Sequence, residues 1–244
     1  MNSHDIVGPL LRRLRVTAEI DEEDEQAVRN LPIAVKRVAA GTPIARYSDR
    51  PSACCLVVEG FVLRAKLVGD GDRRQVLSFH QPGDIPDLQS LFLHVMDHDV
   101  CALGDAVLGF IPHDPLRNLI KARPNVAVAL WRDTLTDAAI FREWICNVGA
   151  RQASSRLCHL VLELYTRLRA IGGTAGLSFA FPATQELFAE AIGISAVHAN
   201  RTFQFLRAEG VLTFSKGTIT ILDEAKLRTL ADFDPLYLHL DPSL

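Results

Sequence analysis

The chain has 244 residues, room for two modest domains with cores of their own, and a globular composition with 48% hydrophobic and 23% charged residues. It lacks an apolar run long enough to span a bilayer and its polar N-terminus does not read as a signal peptide, so a cytoplasmic protein with no membrane partner is expected. A net charge of −3 excludes a surface coated in positive charge, and the cysteines Cys54, Cys55, Cys101, Cys146 and Cys158 show no Cys-x-x-Cys or zinc-finger spacing, so they read as free, mostly buried thiols.

In chain order, Ile6, Leu10, Leu11 and Leu14 predict a short amphipathic helix over about 5–15. The acidic run Asp21 to Glu25 suits the positive end of a second helix. From Ile33 to Ile111 the texture changes to short β-rich runs: 34–38, 54–58, 61–68, 75–79, 100–103 and 106–111. Turns at Glu59-Gly60, Gly69 to Asp72 and Pro82-Gly83-Asp84 separate them. Many short strands at near-regular spacing predict a jelly-roll β-barrel.

A helix follows over about 113–121, and Pro124 opens a long one. Along it Ala127, Trp131, Thr134, Ala138, Phe141, Ile145 and Val148 recur in steps of four and three. That heptad seam is the pattern of two helices packing together and predicts a homodimer; packing on the chain's own barrel is the alternative. Asn147-Val148-Gly149 reads as a hinge. A further helix over about 151–171 and a glycine-rich loop over 172–176 precede the most informative segment.

Residues 181–210 read as helix, tight turn, helix. Thr184 can cap the first helix, and Leu187, Phe188, Ala191 and Ile192 give it an apolar face. Gly193 stands where the backbone must turn. Ser195 caps a second helix running to about Ala208, with Phe203 and Leu206 inward and Val197, His198, Asn200, Arg201 and Gln204 outward. Gly210 ends it, and strands at 211–214 and 218–222 flank Ser215-Lys216-Gly217. A helix-turn-helix followed by a hairpin is a winged helix, whose second helix enters the major groove of DNA. The charge agrees: residues 150–222 hold seven Lys and Arg against four Asp and Glu, the reverse of the balance elsewhere. So small a basic excess suits a dimer that doubles it.

β-barrel, long helix and winged helix-turn-helix in this order resemble the Crp/Fnr family of bacterial transcription regulators. The carriers are residues 184–195 and 197–210, with Glu59-Gly60, Pro82-Gly83-Asp84 and the closing residues 233–240 as weaker ones. The fold class implied is α+β: a sensor barrel with flanking helices over 1–123, a dimerisation helix and hinge over 124–149, and a DNA-binding domain over 150–244. The resemblance implies a homodimer on a pseudo-palindromic operator in double-stranded DNA, acting through RNA polymerase, and no enzymatic activity.

Against the family's pattern there are departures. Cyclic-nucleotide members hold the ribose with a Glu and the cyclic phosphate with an Arg-Ser pair after the Gly-Asp turn. Counting from Gly83-Asp84, those positions carry Leu88, His98 and Asp99, which dismantle an anion site. An effector, a small molecule of unknown identity, is therefore expected not to be cyclic AMP. Iron–sulfur members cluster cysteines near the N-terminus, where this chain has none before Cys54. His94, His98 and Cys101, with His80 and His113 elsewhere, could bind a metal or haem, but a polar loop is the simpler reading, and neither cofactor nor metal is expected. In the family's founder the second helix opens Ser-Arg-Glu, and the Arg and Glu read bases; Ala196 and Val197 stand there in this chain. The retained Arg201 is the expected base contact, bidentate to guanine. His198 and Asn200 are second choices, and Val197 could meet a thymine methyl. Thr184, Gln185, Ser195 and Lys216 are placed for phosphates.

Two competing readings are a cupin-like barrel enzyme with a helical appendage and a regulator working by protein contacts alone. The first lacks a His-x-His motif, a nucleophile elbow and a phosphate loop. The second is allowed by the near-neutral helix-turn-helix, but Thr184, Gln185, Asn200 and Arg201 argue against it.

Overall fold

The strand-rich stretch folds into two antiparallel sheets. The computed structural model describes residues 5–69 and 73–240, so the predicted turn at Gly69 to Asp72 lies outside the described residues from position 70 onward. Contacts divide the described residues into one unit of 5–67 and 77–135 and a second of 136–240 with 68–69 and 73–76.

In the first unit, β1 (Ala34–Val38), β3 (Ala53–Glu59) and β7 (Ala106–Pro112) pair in the order β1-β7-β3. The other sheet has the order β2-β6-β4-β5, from β2 (Pro43–Ala45), β4 (Val62–Val68), β5 (Arg73–His80) and β6 (Asp99–Ala102). Successive strand side chains point to opposite faces, and β3 shows the consequence. Cys55 and Val57 enter an inter-sheet core with Val62, Val100 and Leu108. Cys54, Leu56 and Val58 face a second core built with helices. Both faces are covered, so β3 reads as an unbroken apolar run rather than an alternating one. The neighbouring Cys54 and Cys55 thereby point apart, and burial pushes the Cys54 thiol up to about 12 and raises that of Cys55 as well. Neither is a reactive thiolate.

The covering helices are α1 (Gly8–Thr17), α2 (Glu22–Arg29), α4 (His113–Ala122) and the first part of α5 (Pro124–Ala150), with a single turn, α3 (Ser90–Leu93), beside them. Asp21 caps α2: its carboxylate accepts from the Asp24 N–H and the Asp24 side chain returns the bond, leaving the acidic run at the helix start as charge logic requires. The Pro82-Gly83-Asp84 turn is tied to the same helices. Gly83 has φ +97°, and a Cβ there would lie 2.5 Å from the Pro9 carbonyl oxygen, so only glycine fits. Asp84 lies 3.7 Å from the Arg13 guanidinium, which reaches Asp133 of α5 at 2.6 Å.

The second unit is built around α6 (Ala153–Ala170), which is buried along most of its length. A helix buried on nearly every side must satisfy its polar side chains internally. Glu163, wholly buried, accepts from Trp144 Nε1 at 3.0 Å and from the Tyr237 hydroxyl at 3.1 Å, and lies 3.6 Å from Arg167. Burial raises its pKa, and the two donors and Arg167 oppose that rise. Tyr237 belongs to a closing 3-10 turn (Pro235–Leu238) that also stacks on the buried His159. Desolvation, helped by the Arg151 charge, drops His159 to about 3, so it is neutral. The remaining elements are α7 (Gln185–Ile192), α8 (Ala196–Ala208), α9 (Glu224–Ala231) and a small sheet in the order β8-β10-β9, from β8 (Ser178–Ala180), β9 (Leu212–Ser215) and β10 (Thr218–Ile221).

The expected hinge needs correction. α5 continues through Asn147 and Gly149 to Ala150, and the helical run breaks at Arg151–Gln152. A lone glycine costs a helix only about 1 kcal/mol against alanine and keeps its backbone bonds. The Asn147 side chain then bridges the break by donating to the Arg156 carbonyl oxygen at 3.2 Å.

Candidate nucleic-acid interface

The helix-turn-helix is positioned by local chemistry at each end of its helices. Thr184 Oγ1 accepts from the Leu187 N–H and Ser195 Oγ from the His198 N–H, each at 3.2 Å, satisfying amides that a helix start leaves unpaired. Gly193 between them has φ +68°. Each capping hydroxyl still has its own proton to donate. Behind this surface, Phe188 of α7 contacts Phe203 of α8 at 5.2 Å and Phe214 of β9 at 5.4 Å between ring centres, mostly edge to face. One aromatic cluster therefore fixes both helices and the hairpin. Lys216 and Gly217, both with positive φ, form its two-residue turn, with Ser215 paired to Thr218 across it.

The residues expected to meet DNA lie at or near the surface of this unit. Thr184, Ser195, Val197, His198, Asn200, Arg201 and Lys216 are exposed and Gln185 is half-buried. Val197 and Arg201 also line an open groove of 660 Å³ beside α8, shared with His198, Phe205 and the start of α6 at Gln152 to Ser154. Among the described residues Arg201 forms no ion pair, and it offers a full fork of donors to the groove. Glu209, after the end of α8, pairs with Lys226 at 2.9 Å. Asn200 is engaged rather than open: its Nδ2 donates to Gln185 Oε1 at 2.8 Å, and its Oδ1 accepts from Gln204 Nε2 at 3.0 Å. That arrangement, and the part Gln204 takes in it, has no sequence signal beyond the outward helical face.

The predicted seam of α5 is only partly buried. Trp131, Thr134 and Ile145 are exposed, with Trp131 at 64% and Ile145 at 72%, and Ala127, Ala138, Phe141 and Val148 are half-buried. Val126, Ala129, Leu130, Ala139, Ile140 and Trp144 take the inner face instead. Val128 and Leu135, outside the predicted set, are also half exposed or more.

In the first unit, the positions matched to a nucleotide cassette are occupied otherwise. Leu88 packs against the helix-side core. His98 Nδ1 sits 2.7 Å from the Asp97 carboxylate, and Asp99 Oδ1 accepts from the Tyr47 N–H at 2.8 Å. None of these three positions carries the Glu, Arg or Ser with which the family holds a ribose and a cyclic phosphate. A neighbouring polar chain runs from His113 Nε2 to Ser90 Oγ at 3.1 Å and on to Cys54 Sγ at 3.8 Å. Asp87, next to it, accepts from the Cys55 N–H at 2.7 Å, and burial raises its pKa to about 7 against the pull of that bond and of Arg64. Among the described residues no three His, Cys, Asp or Glu side chains are grouped to hold a metal ion, so His94, His98 and Cys101 do not converge.

Comparison with known proteins follows this division. The Crp-like helix-turn-helix domain family matches residues 155–230, and the cyclic nucleotide-binding domain family matches residues 35–123. The nitrogen fixation regulation protein FixK of Bradyrhizobium diazoefficiens is 24% identical, over 89% of this chain and 91% of that protein. The transcriptional activator protein FnrL of Cereibacter sphaeroides is 23% identical, over 89% of this chain and 88% of its own length. The structure of FixK2 from Bradyrhizobium japonicum superposes with a TM-score of 0.74 at 22% identity, covering 82% of this chain and 98% of that one, a likeness of fold.

Proposed function

The chain belongs to the Crp/Fnr family of transcription regulators, and from that premise we propose that it works as a homodimer reading a pseudo-palindromic operator in double-stranded DNA through α8. It is a DNA-binding regulator with a cyclic-nucleotide-binding-like domain, and its relatives are regulators of transcription rather than enzymes. The observation that carries the finer reading is the exposed face of α8, where Val197 and the unpaired fork of Arg201 stand on a helix capped by Ser195 and braced by the phenylalanine cluster.

In this reading Arg201 bonds guanine and Val197 lies against a thymine methyl, with His198 at a base edge or phosphate beside them. Thr184, Gln185, Ser195 and Lys216 hold phosphates, the first three beside helix N-termini whose amides favour an anion. The exposed apolar residues of α5 support dimerisation through the seam from Ala127 to Val148, with Val128 and Leu135 added to it. RNA polymerase is the further partner. The barrel over 1–123 serves as a sensor domain, 124–149 joins the subunits, and 150–244 binds DNA. The occupied positions Leu88, His98 and Asp99 support an effector other than a cyclic nucleotide. Re-aiming of the two α8 helices would pivot at Arg151–Gln152, where the helical run breaks.

The test is selection from a random DNA pool by the purified protein at moderate salt, without added ligand. The expected product is a two-fold symmetric motif with half-sites about one helical turn apart. Arg201→Ala should flatten the preference at one base pair in each half-site, at a cost of about 1–3 kcal/mol there. A variant that keeps full discrimination would remove Arg201 from the base-reading set.

A further inference from the structure

We propose that Gln204 is a specificity-determining residue that selects a base carrying an exocyclic amino group, adenine or cytosine, and that Asn200 is its positioning residue rather than a DNA contact. The inference rests on α8 being the DNA-reading helix.

Three side-chain amides form a ladder across the helix-turn-helix. Gln204 Nε2 donates to Asn200 Oδ1 at 3.0 Å, and Asn200 Nδ2 donates to Gln185 Oε1 at 2.8 Å. Each amide has one oxygen that accepts and one nitrogen with two hydrogens to donate. The ladder is therefore polarised in one direction. At the α7 end it consumes the oxygen of Gln185 and, among the described residues, leaves its NH₂ group free. At the far end it consumes one hydrogen of Gln204 and, among the described residues, leaves its oxygen free. Asn200, in the middle, has its oxygen and one hydrogen already engaged.

The direction is set by what lies at the α7 end. Gln185 is the first residue of α7, directly after the capping Thr184, where free amides and the helix dipole favour an anion. A phosphate there needs donors from Gln185. Reversing the ladder would aim the Gln185 oxygen at the phosphate, oxygen against oxygen. With the direction held, Gln204 presents its oxygen outward. Gln204 follows Val197 by seven residues, two turns of helix, and Arg201 by three, so it shares their exposed stripe. In the major groove, adenine N6 and cytosine N4 offer the donor that oxygen requires, whereas guanine and thymine offer acceptors. Arg201 and Gln204 then read complementary features: one selects acceptors, the other a donor.

The experiment is selection of bound duplexes from a random DNA pool by wild type, Gln204→Ala and Asn200→Asp, with affinities measured on the preferred operator and on single-base variants of it. Gln204 and Asn200 are exposed, so both variants should fold, which thermal melting would verify. Gln204→Ala should erase the preference for adenine or cytosine at one position of each half-site, with a loss of about tenfold on the preferred operator and little on the others. Asn200→Asp separates positioning from reading. The new carboxylate only accepts, so Gln185 must turn its NH₂ toward it and its oxygen toward the phosphate. Affinity should then fall about tenfold or more on every sequence alike, while the base preference set by Gln204 survives. A changed preferred base in Asn200→Asp would make Asn200 a direct reader and overturn the proposal. Unaltered preferences throughout Gln204→Ala would overturn it too. Failure of wild type to enrich any motif is a different result: it removes the DNA-reading role of α8, and this inference with it.

Discussion

Replacing Asp87 by asparagine should remove a pH dependence from the stability of the barrel unit. Asp87 is 2% exposed and its Oδ1 accepts from the Cys55 N–H at 2.7 Å. Burial raises its pKa from 3.8 to about 7, outweighing that bond and the charge of Arg64. The folded pKa exceeds the unfolded one, so the stability contributed by the neutral carboxyl is whole below pH 3.8 and is lost as the pH rises to about 7. A gap of roughly three pKa units at 1.36 kcal/mol each puts the loss at about 4 kcal/mol between about pH 4 and pH 8. Asparagine keeps the oxygen that the Cys55 N–H requires and never ionises. Asp87→Asn should therefore gain on wild type steadily through this range and level off above about pH 7. Urea unfolding followed by circular dichroism, at one protein concentration and a series of pH values, measures the difference; other carboxylates are common to both proteins and cancel. Parallel stability curves would refute the reasoning, because they would mean that Asp87 stays ionised in the fold, with Arg64 and the Cys55 amide outweighing its burial.

Ile145→Glu, which puts a charge on the exposed seam of α5, should shift the protein to monomer in sedimentation equilibrium and abolish tight binding to two-half-site DNA. Gly193→Ala should cost about 1–2 kcal/mol in urea unfolding, since φ is +68° and the added methyl would lie 3.3 Å from Val148; a neutral result would show that the turn relaxes. Tyr237→Phe takes a donor from the buried Glu163 and should destabilise the second unit by about 2 kcal/mol, with the hydrogen-exchange protection of α6 as the readout. Lys216→Ala should weaken all DNA sequences alike and lower the salt-dependence slope by about one for each wing, whereas a sequence-selective effect would make Lys216 a base contact.

Much of the DNA-binding unit was legible because its determinants are local. Thr184 and Ser195 bond amides three residues ahead, Gly193 answers a single backbone angle, and Lys216-Gly217 is a two-residue turn. Each is a short-range stereochemical demand that few residue types meet. The β3 run was legible for the same reason, as an apolar stretch of strand length. β2 and β8, three residues each, were not: so short a strand has no periodicity, and it exists only through its partner, β6 for one and β10 for the other. The expected hinge fell inside the last turn of α5 because Gly149 weakens a helix without ending it, and the bond from Asn147 to Arg156 that spans the break at Arg151–Gln152 is a tertiary feature.

At the candidate interface, the sequence by itself determined which side chains line α8, because a helical period of 3.6 residues assigns outward positions without reference to the rest of the chain. Which of them are free to meet DNA was decided by the fold. Arg201 stays open, whereas Asn200 is held by Gln185, fifteen residues away across the turn. The same division holds in the cores. The cysteine pattern marked Cys54 and Cys55 as buried thiols and the sequence marked a helix over about 151–171, but the burial of α6, the joining of Glu163 to Trp144 and Tyr237, and the raised pKa of Asp87 depended on what the fold packs around them. Backbone angles and burial patterns are set by near neighbours in the chain; hydrogen-bond partners and desolvation are set by whichever groups arrive from elsewhere, and only the tertiary structure brings those together.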